Sequence, residues 1–184
     1  REPSSAFARI HRGAFIVTNS IEHITVVGAG IMGHGIAQVA AMAGMSIELV
    51  DVDRKRLEHA LQLIDASAIK LETKGKLSDG EAQRVLDMIH LEVDLDKALS
   101  KAQFVIEAIP EDLELKKKLF TELDALAPQG AFLATNTSQF SITAIASATK
   151  RPDRVIGMHW FNPAVLMELI EVVRGLETSD ETLD

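Results

Sequence analysis

The stretch from Ile24 to Asp53, ITVVGAGIMGHGIAQVAAMAGMSIELVDVD, limits the possible folds of this chain more than any other. Ile24, Val26 and Val27 make a short β-branched run, the pattern of a buried parallel strand. Gly28, Gly30 and Gly33 follow in G-x-G-x-x-G spacing, and Ile36, Val39, Ala40 and Ala43 then recur at helical period. Gly44 stands where a helix C-cap glycine belongs, and SIELV reads as a second strand that ends at Asp51. In such a turn Gly28 allows the tight reversal, Gly30 lets a pyrophosphate approach the backbone, and Gly33 lets the helix lie close on the sheet. The helix then offers free N–H groups and its positive dipole end to phosphate.

Three glycines alone are a weak signal, but here a strand, a helix and a second strand surround them. The segment therefore predicts a dinucleotide site built from Gly28, Ala29, Gly30, Ile31, Met32 and Gly33. Asp51, about 20 residues beyond the glycines, can bind both ribose hydroxyls of an adenosine and would repel a 2′-phosphate. That favours NAD over NADP. Arg54, Lys55 and Arg56 pull the other way, because a nearby cation could accept that phosphate.

At 184 residues the chain can bury one sizeable core. Its net charge of −8 argues against nucleic-acid binding, which needs a cationic surface. It has no cysteine, so thiolate ligands, cysteine nucleophiles and disulfides are excluded. No apolar run approaches the ~20 residues that span a bilayer, so no membrane partner is expected. A cytoplasmic location is expected, with the mitochondrial matrix as the alternative. Residues 1–20 fit no period. Their arginines and serines faintly suggest a targeting segment, but a linker or N-terminal extension is the simpler reading.

Beyond Asp53, Leu57, Leu61, Ile64 and Ala68 share one helical face to about Leu71, and ETKGK suggests a turn. Ser78 and Glu81 have the spacing of a capping box that opens a second helix. This helix pair reads as an excursion that could cover a substrate, or as a harmless insertion. HLEVDL, QFVIEAIP, AFLATN, RVIGMHW and MELIEVVR read as further strands. Between them fall short helices at DKALSKA and around Ile142, and a longer one to Leu126 with Leu115, Leu119, Leu123 and Leu126 on its stripe. The alternation predicts a Rossmann-type, doubly wound and mostly parallel sheet over residues 21–184, with a helical excursion after its second strand. The last two strands, joined by a short turn at Asn162-Pro163, are expected to run antiparallel.

Ligands in such sheets bind outside the carboxyl ends of the strands. Asp51, Glu111, Thr135-Asn136-Thr137-Ser138 and His159 all lie there. His159 is the candidate base, since imidazole moves protons near neutral pH. Glu171 lies between Ile170 and Val172 in an apolar strand, where an unpaired carboxylate would cost several kcal/mol. A turn at Asn162-Pro163 would bring it beside His159, where it could fix the tautomer and offset an imidazolium charge. A solvent-facing Glu171 on an edge strand is the competing reading. Ser138 has no base beside it and fits a substrate-bonding hydroxyl, while Asn136 could hold a cofactor amide. The remaining histidines lack ligand spacing, so no metal site is assigned.

The segments GAGIMGHGIAQVAAMAG, EAIPEDLELKKKLF, TNTSQFSI and GMHWFNPAVLMELIEVV, in this order over residues 21–184, resemble the short-chain L-3-hydroxyacyl-CoA dehydrogenases, including bacterial 3-hydroxybutyryl-CoA dehydrogenases. The resemblance implies NAD-dependent oxidation of a 3-hydroxyacyl-CoA to a 3-oxoacyl-CoA, with an acyl-CoA partner. It places the base on His159, its acid on Glu171, substrate contacts on Ser138 and Asn162, and cofactor contacts on Glu111, Lys116 and Asn136. Its CoA-contacting serine and lysine fall near Ser67 and Lys74. Members carry a second, helical domain with dimer contacts, which would begin where this chain stops, at Asp184. The expectation is therefore an NAD-binding domain without that partner domain, with a homodimer only when it is present. Trp160 stands where phenylalanine is frequent. A related dehydrogenase acting on a non-CoA alcohol, or a non-catalytic NAD-binding module, are the alternatives.

Overall fold

The computed structural model describes residues 21–184 and, for residues 6–9, the backbone. Eight strands form one sheet: β1 (Ala6–Arg9), β2 (His23–Val27), β3 (Ser46–Val50), β4 (Ile89–Glu92), β5 (Phe104–Glu107), β6 (Phe132–Thr135), β7 (Val155–Trp160) and β8 (Leu169–Arg174). The spatial order is β1-β8-β7-β6-β5-β2-β3-β4. Strands β2 to β7 are parallel, and β8 runs antiparallel to β7 as the short turn requires. The strand order reverses at β2, which pairs with both β3 and β5; a crevice opens at such a switch point.

Both sheet faces are covered, so the parallel strands read as apolar runs. Successive residues go to opposite sides. Ile106, Ala134 and Ile156 pack with α1 (Ile31–Met42), α2 (Arg54–Thr73) and α3 (Glu81–Asp87). Their neighbours Val105, Leu133 and Val155 pack with α4 (Leu95–Leu99), α5 (Leu113–Leu126) and α6 (Ile142–Ala146). The expected glycine stop of α1 is present: the N–H groups of Gly44 and Met45 close back on the carbonyls of Ala41 and Ala40, with Gly44 at φ +90°.

Four expectations need correction. The buried stripe of α5 is Lys116, Leu119, Phe120 and Leu123, whereas Leu115 and Leu126 are exposed. A lysine can occupy that inner stripe because carboxylates wait there. The capping box is only half made. Glu81 accepts the Ser78 N–H at 2.5 Å, but α3 starts after Gly80, and the Glu72 carboxylate takes the N–H groups of Gly80 and Ala82. Glu72, read as part of a turn, thus caps the next helix. The α2–α3 excursion buries its apolar face in the core and, past Arg56, adds nothing to the cleft described below. Finally, Ala6–Arg9 adds an antiparallel strand on the outer edge of β8, a row of backbone groups open to pairing. The rest of the 1–20 reading lies outside the described residues.

Candidate active site

A cleft of about 980 Å³ opens at the carboxyl ends of the strands, where β2 and β5 part. The glycine turn forms its floor. Gly28 has φ +106°, and a Cβ there would lie 2.6 Å from the Ala108 carbonyl oxygen. A Cβ on Gly33 would lie 1.6 Å from the Gly28 oxygen, so α1 can start against the end of β2 only with glycine at that position. A Cβ on Gly30 would meet nothing within 4 Å. What Gly30 leaves open is ligand space, which fits a pyrophosphate approaching the N-terminus of α1. Asp51 sits at the rim. Its Oδ2 accepts the Ala29 N–H at 3.0 Å and its Oδ1 the Asp53 N–H at 3.1 Å. Each oxygen keeps acceptor capacity for one ribose hydroxyl. Of the three nearby cations, Arg56 lines the cleft, while Arg54 is turned to Glu58 and the Leu91 carbonyl.

The middle wall is a buried ionic cluster. Lys116 is 1% exposed. Its ammonium donates to Glu107 Oε1 at 2.5 Å, Glu111 Oε2 at 3.0 Å and the Ile109 carbonyl at 3.3 Å. All three lysine donors therefore have acceptors. Lys116 reaches the cleft as a fixed, neutralised group rather than a free cation. Glu111 Oε1 accepts the Thr137 hydroxyl at 2.7 Å and the Ser138 N–H at 2.8 Å. Burial alone would raise the Glu111 carboxyl, but these bonds and the Lys116 charge outweigh it and hold it below the ordinary carboxylate range.

On the far wall His159 lines the cleft, and Glu171 reaches the cleft only through it. His159 and Glu171 are direct cross-strand partners on β7 and β8, so their side chains share a face. Nδ1 of His159 lies 2.8 Å from Oε2 of Glu171. A carboxylate only accepts, so in the neutral ring this contact puts the proton on Nδ1 and leaves the lone pair on Nε2. The Phe161 ring packs 4.7 Å from the imidazole, centroid to centroid, and limits its swing. Asn136 Oδ1 accepts the Trp160 N–H at 2.9 Å, which leaves its amide hydrogens as donors. Among the described residues no group of three or more His, Asp or Glu is placed to hold a metal ion.

Gly28, Gly30, Ile31, Met32, Asp51, Glu111, Lys116, Asn136, Ser138, His159 and Asn162 all line this one cleft. Ala29 and Gly33 adjoin that lining within the glycine turn, Glu171 meets it only through His159, and Ser67 and Lys74 lie away from it. Ser67 is half-buried in α2, and Lys74 is exposed at that helix's end. Sequence reasoning also missed Glu107, which is fully buried at the end of β5. The signal was there: the argument that found Glu171, an acid inside an apolar strand, applies equally to FVIE. Gly35 was missed as well. A Cβ on it would lie 3.1 Å from Ala164 Cβ, so the glycine lets the chain after Asn162 rest on α1.

Fold and cleft together define a dinucleotide-binding α/β domain of the dehydrogenase type. The family described as 3-hydroxyacyl-CoA dehydrogenase, NAD binding domain, matches residues 23–184, and the chain belongs to that family. It is 44% identical over 162 residues to a probable 3-hydroxybutyryl-CoA dehydrogenase of Bacillus subtilis, covering 88% of this chain and 56% of that protein. It is 40% identical over 169 residues to the mitochondrial hydroxyacyl-coenzyme A dehydrogenase of Sus scrofa, covering 89% and 54%. A crystal structure of 3-hydroxybutyryl-CoA dehydrogenase from Escherichia coli K12 superimposes with a TM-score of 0.87 at 43% identity, covering 90% of this chain and 35% of that one. The chain thus spans about half or less of the length of these relatives. NAD is the cofactor of the family, and the open floor at Gly30 with the acceptors of Asp51 fits it.

Proposed function

We propose that this chain forms the NAD-binding, proton-abstracting part of an enzyme that oxidises (S)-3-hydroxyacyl-CoA to 3-oxoacyl-CoA in fatty-acid or butanoate metabolism. Bound NAD supplies the hydride acceptor. The backbone at Gly30 and the start of α1 hold its pyrophosphate, Asp51 its adenosine ribose, and Asn136 offers amide hydrogens to its far end. Ser138 and Asn162 orient the substrate, with the Ser138 hydroxyl bonding the reacting oxygen. His159 Nε2 takes the 3-hydroxyl proton, and Glu171 offsets the charge that forms on the imidazole. The observation that carries this reading is the 2.8 Å contact of Glu171 with His159, which lines the cleft whose floor is the glycine turn. The substrate class follows that of the relatives. The resemblance adds a helical partner domain and a homodimer formed through it. Bacterial and mitochondrial relatives both exist, and a cytoplasmic location is the simpler of the two. Among the described residues no helix is long and apolar enough to cross a membrane.

The test has two arms. Calorimetry should show NAD binding to this chain. Fusing it to the portion of the Bacillus relative beyond the match should give oxidation of 3-hydroxybutyryl-CoA with NAD. Absence of NAD binding, or a fusion that oxidises only hydroxy acids free of CoA, contradicts the reading.

A further inference from the structure

Glu107 touches neither cofactor nor substrate space: its side chain is fully buried. Yet two lines of bonding start from it. Through its backbone carbonyl it takes the Asn136 N–H at 2.9 Å, and Asn136 in turn holds the Trp160 N–H beside His159. Through its side chain it takes three donors: the Lys116 ammonium, the Ile109 N–H at 2.8 Å and, at Oε2, the Thr135 hydroxyl at 2.6 Å. All three partners donate, which suits a carboxylate and not a carboxylic acid. A charge with no exposure normally shifts to its neutral form or is fully bonded, and this one is fully bonded.

We infer that Glu107 is a positioning residue for the reaction: it anchors Lys116, Lys116 anchors Glu111, and Glu111 holds the Ser138 turn at its place in the cleft that His159 also lines. The geometry makes this a chain rather than a cluster. Lys116 cannot choose Glu111 freely, because its other two donors are fixed on Glu107 and Ile109. Glu111, whose side chain is 35% exposed, has no comparable burial to fix it, so its direction is set by its bonds. One of its oxygens faces Lys116 and the other faces Thr137 and Ser138. Removing the charge of Glu107 leaves Glu111 as the only anion on Lys116. The ammonium then moves toward it, and the Ser138 turn follows. The inference rests on the proposed roles of Ser138 and Lys116 only for its consequence in catalysis, not for its geometry.

The experiment reads the Ser138 backbone amide in a ¹⁵N–¹H spectrum of this chain, without cofactor, together with NADH affinity. E107Q is expected to move the Ser138 amide resonance and to raise the NADH dissociation constant about tenfold, near 1.4 kcal/mol. K116M is expected to move the same resonance, and the double variant no further than the larger single change, because both cut one chain of bonds. Additive displacements would make the two residues independent and overturn the inference. So would an E107Q protein that melts lower but keeps both the Ser138 resonance and the NADH affinity; Glu107 would then be a structural counter-ion. Should E107Q not fold, E107D keeps the charge and withdraws it by one methylene, and a Ser138 amide unmoved in E107D overturns the inference equally. If the wild-type chain fails to bind NADH, the cofactor reading falls while the Ser138 resonance still decides the relay.

Discussion

Helix α5 has a buried cation at each end, and the two do different work. Near its start, Lys116 gives its donors to two carboxylates and one carbonyl, and one of those carboxylates opens onto the cleft. Past its other end, Arg151 is 7% exposed and bonds Asp124 Oδ1 together with the backbone carbonyls of Asp124, Ala127 and Pro128. Arg151 satisfies carbonyls that the helix terminus leaves without partners, and it complements the negative end of the dipole. It is a clasp. Lys116 is bonded to two carboxylates, and one of them, Glu111, is 35% exposed and bonded in turn by Thr137 and Ser138. Burial of a charge therefore does not mark a site by itself. The identity of its acceptors does: mostly backbone carbonyls for Arg151, and for Lys116 two carboxylates of which Glu111 faces the cavity.

The sharpest way to break that contrast is to look for effects on the wrong side of it. In the fusion with the Bacillus portion, His159→Ala should lower kcat for 3-hydroxybutyryl-CoA oxidation by roughly a hundredfold to ten-thousandfold while the melting temperature and the NAD dissociation constant hold. Arg151→Met should do the reverse. It strands Asp124 and three carbonyls, and urea unfolding should show a loss of about 3–5 kcal/mol with NADH affinity unchanged in the folded protein. A weakened NADH affinity in that variant would dissolve the distinction between the two ends.

In the same fusion, Glu171→Gln should cost about ten- to hundredfold in kcat, below the ten-thousandfold of a fully buried triad acid. Its side chain is 41% exposed, so water can partly replace the carboxylate. The smallest effect concerns pH. Glu111 is held below the ordinary carboxylate value, so the stability it contributes is present above the unfolded carboxylate pKa near ~4.3 and is lost as pH falls through the lower folded value. Acid titration of the Ser138 amide should show one transition below that range, and Glu111→Gln should abolish it. A transition at or above the ordinary value would contradict the bonding described for Glu111.

Much of this was legible in residue pattern because it depends on local rules. G-x-G-x-x-G between two apolar strands dictates a turn that only glycine can make, and the clash distances at Gly28 and Gly33 give the reason. The pairing of His159 with Glu171 followed from one acid in an apolar strand and a short return. The Glu107–Lys116–Glu111 chain was not legible as a unit. Its members lie on a strand, a helix and a loop, and the leucines of α5 suggested an apolar stripe that omits Lys116. The α2–α3 pair had the opposite difficulty: a long amphipathic helix reads the same whether its apolar face meets a ligand or the core, and here it meets the core. Ser67 and Lys74, placed by resemblance on that pair, accordingly lie away from the cleft.

The most direct test is a crystal structure with NAD and a 3-oxoacyl-CoA bound. The account predicts His159 Nε2 within about 3.2 Å of the 3-oxo oxygen, the distance at which a base can hand over its proton. It also predicts that Nδ1 stays on Glu171. An imidazole turned away from that oxygen, with another side chain or none in hydrogen-bond reach of it, would contradict the assignment of His159 as the base.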